Sequence, residues 1–198
     1  MTKTLSKLAV MLLVVSGCSS QPTITSSGVS WQQHSARITS LNQWQVDGKL
    51  GYKSAGQGGS ANLNWSQNQQ QYQLSLSGPF GAGSAIIRGN NRIASLYRGN
   101  QADTDLPQQL ALRLTGLPIP VDALSWWARG LPSPSKDAAT DLITGADGAA
   151  MGFNQAGWQL AFSRYSFTSD GNLPGKIVGQ LGDHSFKLVI SRWSFPEK

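Results

Sequence analysis

Few side chains in this sequence are equipped for covalent or metal chemistry, and the most reactive of them stands alone. His34 and His184 are the only histidines and Glu197 is the only glutamate. No H-E-x-x-H, P-loop or G-x-S-x-G pattern brings a base to a metal, a phosphate or a serine. Two scattered histidines with distant aspartates do not make a metal-ligand spacing. The glycines of Gly78-Pro79-Phe80-Gly81-Ala82-Gly83 have no helix behind them to receive a phosphate, so they make a turn. These absences argue against an enzyme and against a metal or organic cofactor. What remains is Cys18, the single cysteine, and its setting is informative.

Lys3 and Lys7 precede an unbroken apolar run from Leu8 to Val15, which is followed by Ser16-Gly17 and then Cys18. That is the three-part pattern of a secretory signal over residues 1–17. The run is far short of the roughly 20 residues that span a hydrocarbon core, and no later segment approaches that length. Val15-Ser16-Gly17-Cys18 resembles the lipobox of signal peptidase II substrates, whose cysteine sulfur receives a diacylglyceryl group. The resemblance implies that Cys18 becomes an N-acyl diacylglyceryl cysteine at the mature N-terminus. An unpaired thiol is otherwise an oxidation hazard in an exported chain. Ser19 and Ser20 follow, where lipoproteins retained at the inner membrane of enteric bacteria typically have Asp, so the outer membrane is the expected address.

Residues 18–30 are then a lipidated cysteine with a small, polar, flexible tether. Residues 31–198 form one domain, large enough to bury a substantial core. Losing Lys3 and Lys7 leaves 14 basic against 10 acidic residues, a net charge of +4. A mild excess spread along an exported chain makes no basic stripe and excludes nucleic acid as a partner. It suits approach to anionic lipid or an acidic partner.

The elements follow from periodicity. Trp31, Ile38 and Leu41 fall near one helical face, which predicts a short opening helix over 31–41. From Trp44 the period becomes two: Trp44, Val46, Gly48, Leu50 and Tyr52 alternate with polar residues or glycine, as in a half-buried strand. The same alternation returns in Ala61-Leu63-Trp65 and Tyr72-Leu74-Leu76, and further strands are expected at 82–89 and 92–98. Later strands are expected at Trp158-Leu160-Phe162, Ile177–Leu181 and Phe186-Leu188-Ile190. Between the two strand regions, Asp105 is placed to cap a helix with Pro107 in its first turn. Two short helices are expected over 107–115 and 120–129, broken by Gly116-Leu117-Pro118-Ile119-Pro120. The result is a mainly β chain with a helical insert: a curved or barrel-like antiparallel sheet, apolar side inward, with two helices placed to cover it as a lid.

Seven tryptophans, at 31, 44, 65, 126, 127, 158 and 193, are many for such a domain. Either they are packed core, or they line a site for greasy ligands on the inner face of the sheet and its lid.

Leu114-Thr115-Gly116-Leu117-Pro118-Ile119-Pro120-Val121, followed by Trp127-Ala128-Arg129-Gly130-Leu131-Pro132, resembles the LolB family, outer-membrane receptors for lipoproteins. Trp31-Gln32-Gln33-His34, Asn42-Gln43-Trp44 with Gly48 and Leu50, Trp65-Ser66-Gln67, Ser77-Gly78-Pro79-Phe80-Gly81 and Gly157-Trp158 look like the family's counterparts in the same order. The resemblance covers essentially the whole mature chain. It implies an unclosed antiparallel β-barrel of about 11 strands, covered by a short helical lid around a hydrophobic cavity. It implies a LolA-like periplasmic carrier as partner, with acyl chains of client lipoproteins and outer-membrane lipid, and a monomer.

Trp31, Trp65, Trp127 and Trp158 match the family's aromatic set. With Leu63, Leu74 and Leu76 of the strands, and Leu117, Ile119, Leu124 and Leu131 of the helical region, they are the candidate cavity and lid. Phe80, between Pro79 and Gly81, falls on the family's protruding apolar position, usually Leu. Its ring either folds back onto the barrel or points outward, where a bilayer surface would bury it. The alternative function is a lipoprotein scaffold for protein partners with an ordinary packed core.

Overall fold

The computed structural model describes residues 28–78, 83–134 and 137–196. Cys18 and the Pro79-Phe80-Gly81 turn lie outside the described residues.

Helix α1 (Trp31–Thr39) starts at a reciprocal cap: the Gln33 N–H donates to the Ser30 hydroxyl, and the Ser30 N–H donates to the Gln33 side chain. The helix ends two residues before the predicted limit and buries His34 and Ile38. The alternating stretches become strands β1 (Gln43–Lys53), β2 (Gly58–Asn68), β3 (Gln71–Ser77), β4 (Ala85–Gly89) and β5 (Ala94–Arg98), and an exposed strand β6 (Gln101–Asp105) follows them. Next come α2 (Pro107–Thr115) and α3 (Val121–Ala128). The chain closes with β7 (Thr140–Thr144), β8 (Ala150–Gln155), β9 (Trp158–Ser163), β10 (Ser166–Thr168), β11 (Gly171–Leu173), β12 (Lys176–Leu181) and β13 (His184–Ser194).

Eleven strands form one antiparallel sheet in the order β6-β5-β4-β3-β2-β1-β13-β12-β9-β8-β7, and β10 and β11 pair separately as a hairpin. The two halves of the chain join where β1 pairs with β13. A register shift falls between Asp47 and Gly48 on that seam. A Cβ at position 48 would stand 2.3 Å from the Val189 carbonyl oxygen, so only glycine fits this bulge, which bends the sheet. The outermost strands, β6 and β7, do not pair with each other, and the barrel stays open. Residues 106–139 run from one edge to the other, so α2 and α3 are carried across the open side by the connectivity itself.

The helix boundaries match the predicted breaks, but the cap does not. Asp105 ends β6 rather than capping α2: Leu106 occupies the N-cap without a side-chain bond, and Pro107 fills the first turn. The Asp105 carboxylate instead accepts the Leu106 N–H and pairs with Arg113, about two helix turns further on. Gly116 closes α2 in the left-handed conformation, φ 68°, as a C-cap. A Cβ there would also meet Ser54 and Gln57 of the β1–β2 loop within 2.7 Å.

Most of the core lies between the concave face and the helices, with Trp44, Val46, Leu63, Trp65, Leu110, Leu117, Trp127, Trp158 and Phe186 among its buried members. A smaller cluster of Ile38, Leu131 and Leu173 lies under α1.

His34 is 5% exposed, and its Nε2 has no hydrogen-bond partner. Burial holds its imidazole below the usual value; Asp147 opposes that shift and Arg37 adds to it. The unfolded chain therefore takes up the proton first. The stability that depends on a neutral His34 is present above about pH 6.5 and is lost as pH falls toward the lower folded value. Asp47, held low by Asn64 and Arg192, and Asp105, held low by Arg113 and the Leu106 N–H, act only below the usual carboxylate pKa, about 4. The urea midpoint is therefore expected to drop between about pH 7.5 and about pH 5.5 in the native chain and to stay nearly level in His34→Gln. Equal slopes in the two proteins would contradict this assignment.

Candidate functional site

The site is built from two facing apolar surfaces. On the sheet, β2 and β3 place Leu63 opposite Leu76 and Trp65 opposite Leu74, an apolar ladder whose alternate residues face solvent. Leu63 and Trp65 are buried, and Leu74 and Leu76 are half-buried. On the helical side, Leu117 and Ile119 of the α2–α3 connection and Trp127 of α3 are buried, while Leu124 is half-buried. Trp158, fully buried on β9, packs its ring 5.3 Å from Phe186, and the Trp127 ring lies parallel to Phe186 at 6.5 Å. The structure brings all of these predicted residues into one cluster. Trp31 lies half-buried between the two clusters, and Leu131 sits in the small one under α1, away from the sheet–helix contact.

Between the surfaces, a space bordered by Trp65, Tyr72, Leu74, Val121 and Leu124 measures about 20 Å³. That is room for about one water and not for a hydrocarbon chain. Burial there pushes the Tyr72 hydroxyl up to about 12. With the helices in this position the apolar surfaces are in contact, so a ligand chain enters only if a helix moves. A larger hollow, about 690 Å³, lies at the rim among Leu41, Trp44, Gln67–Gln71, Trp126 and Arg129.

The two helices are held very differently. The buried Gln155 side chain accepts from the Trp127 indole N–H at 2.8 Å and from the Ser133 N–H at 2.9 Å. Its amide nitrogen donates to the Ser133 and Asp137 carbonyls. One side chain of β8 thus fastens both α3 and the segment that follows it. Arg129, 6% exposed, donates to Ser125 in its own helix and to the Ile38 and Leu41 carbonyls at the end of α1. Its guanidinium lies 4.8 Å from the Trp126 ring, and burial without a carboxylate pushes its pKa down to about 10. The cation also suits the negative end of the α1 dipole. Neither helix has a side-chain cap, but the ion pairs of α2, Arg113 to Asp103 and Asp105, are exposed. Exposed pairs of this kind contribute little. The clearest apolar anchor of α2 is Leu110, so α2 is the looser half of the lid.

Gln155 and Arg129 were not legible as site residues. Gln155 sits in a stretch of small and polar residues without strong alternation, and a glutamine's partners are set by the fold. Arg129 lay inside a recognised motif, but nothing in its neighbours marks it as buried. Phe186 and Trp44 were legible only as inward strand positions.

The fold is similar to that of a LolA superfamily protein from Nitrosomonas europaea. That chain superposes with a TM-score of 0.56 at 10% identity, over 86% of this chain and 96% of its own length. The likeness defines the class as a curled sheet with a helical lid. At the sequence level, residues 42–193 match the family model described as outer membrane lipoprotein LolB. The outer-membrane lipoprotein LolB of Pseudomonas fluorescens is 36% identical over 165 residues, covering 82% of this chain and 80% of that protein. That of Pseudomonas paraeruginosa is 33% identical over 192 residues, 93% of each chain. The chain belongs to the outer-membrane lipoprotein LolB family, which makes it a lipid-anchored protein of the outer membrane. Among the described residues, no helix is long and apolar enough to cross a membrane.

The difference in fastening has a measurable consequence. Gln155→Leu strands the Trp127 N–H and the backbone groups of Ser133 and Asp137, and is expected to lower the urea-unfolding free energy by about 2–4 kcal/mol. Arg113→Ala is expected to leave the midpoint unchanged. A Gln155→Leu protein as stable as the native chain would show that α3 is held by something else.

Proposed function

We propose that this protein receives lipoproteins from a LolA-like periplasmic carrier, holds their acyl chains between the sheet and the helices, and inserts them into the outer membrane. Membership in the LolB family supports this, and so does the physical logic of the site: apolar surfaces that could part, above a sheet that never closes. Burying each methylene is worth about 0.8 kcal/mol, so a long acyl chain released into water costs roughly 10 kcal/mol and must stay covered from carrier to bilayer. The reading needs no nucleotide and no reaction. The carrier holds chains weakest, this protein more tightly and the bilayer most tightly, so differential affinity drives transfer. The protein works by binding, as a monomer, anchored through the lipid on Cys18.

Leu63, Trp65, Leu74 and Leu76 on the sheet, with Leu117, Ile119, Leu124, Trp127 and Trp158, are the surfaces assigned to the chains. Opening begins at α2, the helix held by exposed ion pairs, with left-handed Gly116 between it and the fastened α3. Phe80 is the assigned point of insertion into the bilayer during delivery. The second reading, a scaffold with a permanently packed core, draws on the small interior space. An apolar dye such as bis-ANS, displaced by an acylated lipoprotein, separates the two, because a packed core takes up neither.

The direct test is transfer of a radiolabelled lipoprotein from purified carrier to this protein, with and without membranes. The label is expected to leave the carrier, pass to this protein and then to the vesicles. Retention by the carrier would overturn the proposed order of affinities. Phe80→Glu is expected to accept the label normally and to deliver it poorly into liposomes; normal delivery would remove Phe80 from the mechanism.

A further inference from the structure

At the end of the sheet where α1 leads into β1, an aromatic ring stands in solvent with nothing apolar over it. Phe167 is 87% exposed, more than any other large hydrophobic among the described residues. In the β10–β11 ladder it lies opposite the polar Asn172, whereas the next pair, Ser166 and Leu173, turns the fully buried Leu173 toward Ile38 of α1. Successive strand residues alternate faces, so the hairpin that buries Leu173 is bound to present Phe167 outward.

The hairpin is firmly held. An Arg37 guanidinium nitrogen donates to the Ser169 carbonyl at 2.6 Å, the Thr168 hydroxyl donates to the Gly171 carbonyl at 2.7 Å, and the Asn172 amide donates to the Asp147 carboxylate at 2.9 Å. The same turn that carries Asp147 supports the start of the described chain. Gly28 lies so close to the Ala146 carbonyl that a Cβ would stand 2.6 Å from it, and the Val29 and Ser30 carbonyls crowd Gly148. The chain arriving from Cys18 therefore reaches the domain one turn away from the cross-strand partner of Phe167. Cys18 precedes Gly28 by ten residues. A chain of that length spans at most about 33–36 Å.

The charges at this end fit an anionic surface. Arg164, just before the hairpin, and Arg37, beside it, are exposed. Of the nearby carboxylates, Asp170 is buried and Asp147 is half-buried and bonded to Asn172. The Phe80 turn departs from Ser77 at the end of β3, and the pairings make β3 antiparallel to β9, which leads into the hairpin. Ser77, the last strand residue before the segment that carries Phe80, and the hairpin thus lie at opposite ends of the sheet.

We propose that the β10–β11 hairpin is a second membrane contact, in which Phe167 enters the interfacial region of the leaflet that holds the lipid anchor while Arg164 and Arg37 face its anionic headgroups. The proposal rests on the lipid anchorage of the chain and is independent of how acyl chains are received. The lipid anchor holds the chain at the bilayer and the hairpin sets the resting pose of the domain, which leaves that pose by turning on its tether when Phe80 enters the bilayer during delivery.

The test uses the full acylated chain in vesicles of phosphatidylethanolamine with a minority of phosphatidylglycerol. Acylation consumes the only native thiol, so Phe167→Cys takes an environment-sensitive fluorophore at that site alone. Ile143→Cys, an exposed apolar site on edge strand β7, is the control. The probe at 167 is expected to shift to the blue and to be quenched several-fold more than the probe at 143 by nitroxide-bearing lipid, and more so as the anionic fraction rises. Equal quenching at the two sites in chains that float with the vesicles would overturn the membrane contact. Chains that do not float would overturn the anchorage it rests on. Phe167→Ser, which touches no core residue, is expected to keep the native near-ultraviolet circular dichroism, so an effect on docking is separable from misfolding.

Discussion

An antiparallel sheet that curls without closing keeps an apolar inner wall and two unpaired edges, and water must be kept from the first while the second are blunted. In this chain one connection covers the wall. Residues 106–139 cross from β6 to β7 and lay α2 and α3 over the wall. The edges themselves are short, and β6 carries Asp103 and Asp105. Because the cover is a separate layer rather than a closing strand, it can be withdrawn without breaking the ladder of main-chain bonds. That separation distinguishes a lidded sheet from a sealed barrel.

The cover is not uniform, and its asymmetry gives the lid a direction. Trp127, bonded to the Gln155 amide and stacked on Phe186, ties α3 to the sheet, and Arg129 ties the same helix to α1. Among the described residues, no buried side-chain hydrogen bond ties α2 to the sheet; its ion pairs are exposed. The buried polar groups are costly to strand, so the parts they join move together or not at all. The exposed pairs of Arg113 separate and re-form in water at little cost.

Much of this was legible in residue order, and the gaps have physical causes. Strands with one face in the core announce themselves by alternation, which is why β1 to β5, β9, β12 and β13 were expected where they stand. Strand β6, Gln-Ala-Asp-Thr-Asp, buries nothing and so carries no such pattern; β7 is equally exposed, and β10 and β11 are only three residues each. The break at Gly116 through Pro120 marked both helices because glycine ends one and proline precludes continuation. Asp105 looked like a cap because its type favours that position, yet a strand claimed it. Leu131 reads as lid by proximity to Trp127, but Gly130, in the left-handed conformation, turns it toward Ile38. Long-range polar partners such as Gln155 leave no periodic trace at all.

Reception of a hydrocarbon chain depends on a contact between lid and sheet that opens at α2. Hydrogen exchange followed by mass spectrometry, with and without a triacylated lipoprotein, reads this directly. Amides of residues 107–115 are expected to lose protection when the acyl chains bind, while those of 121–128 keep theirs. Binding that leaves both helices equally protected would mean that the chains lie elsewhere, and the central claim would be wrong.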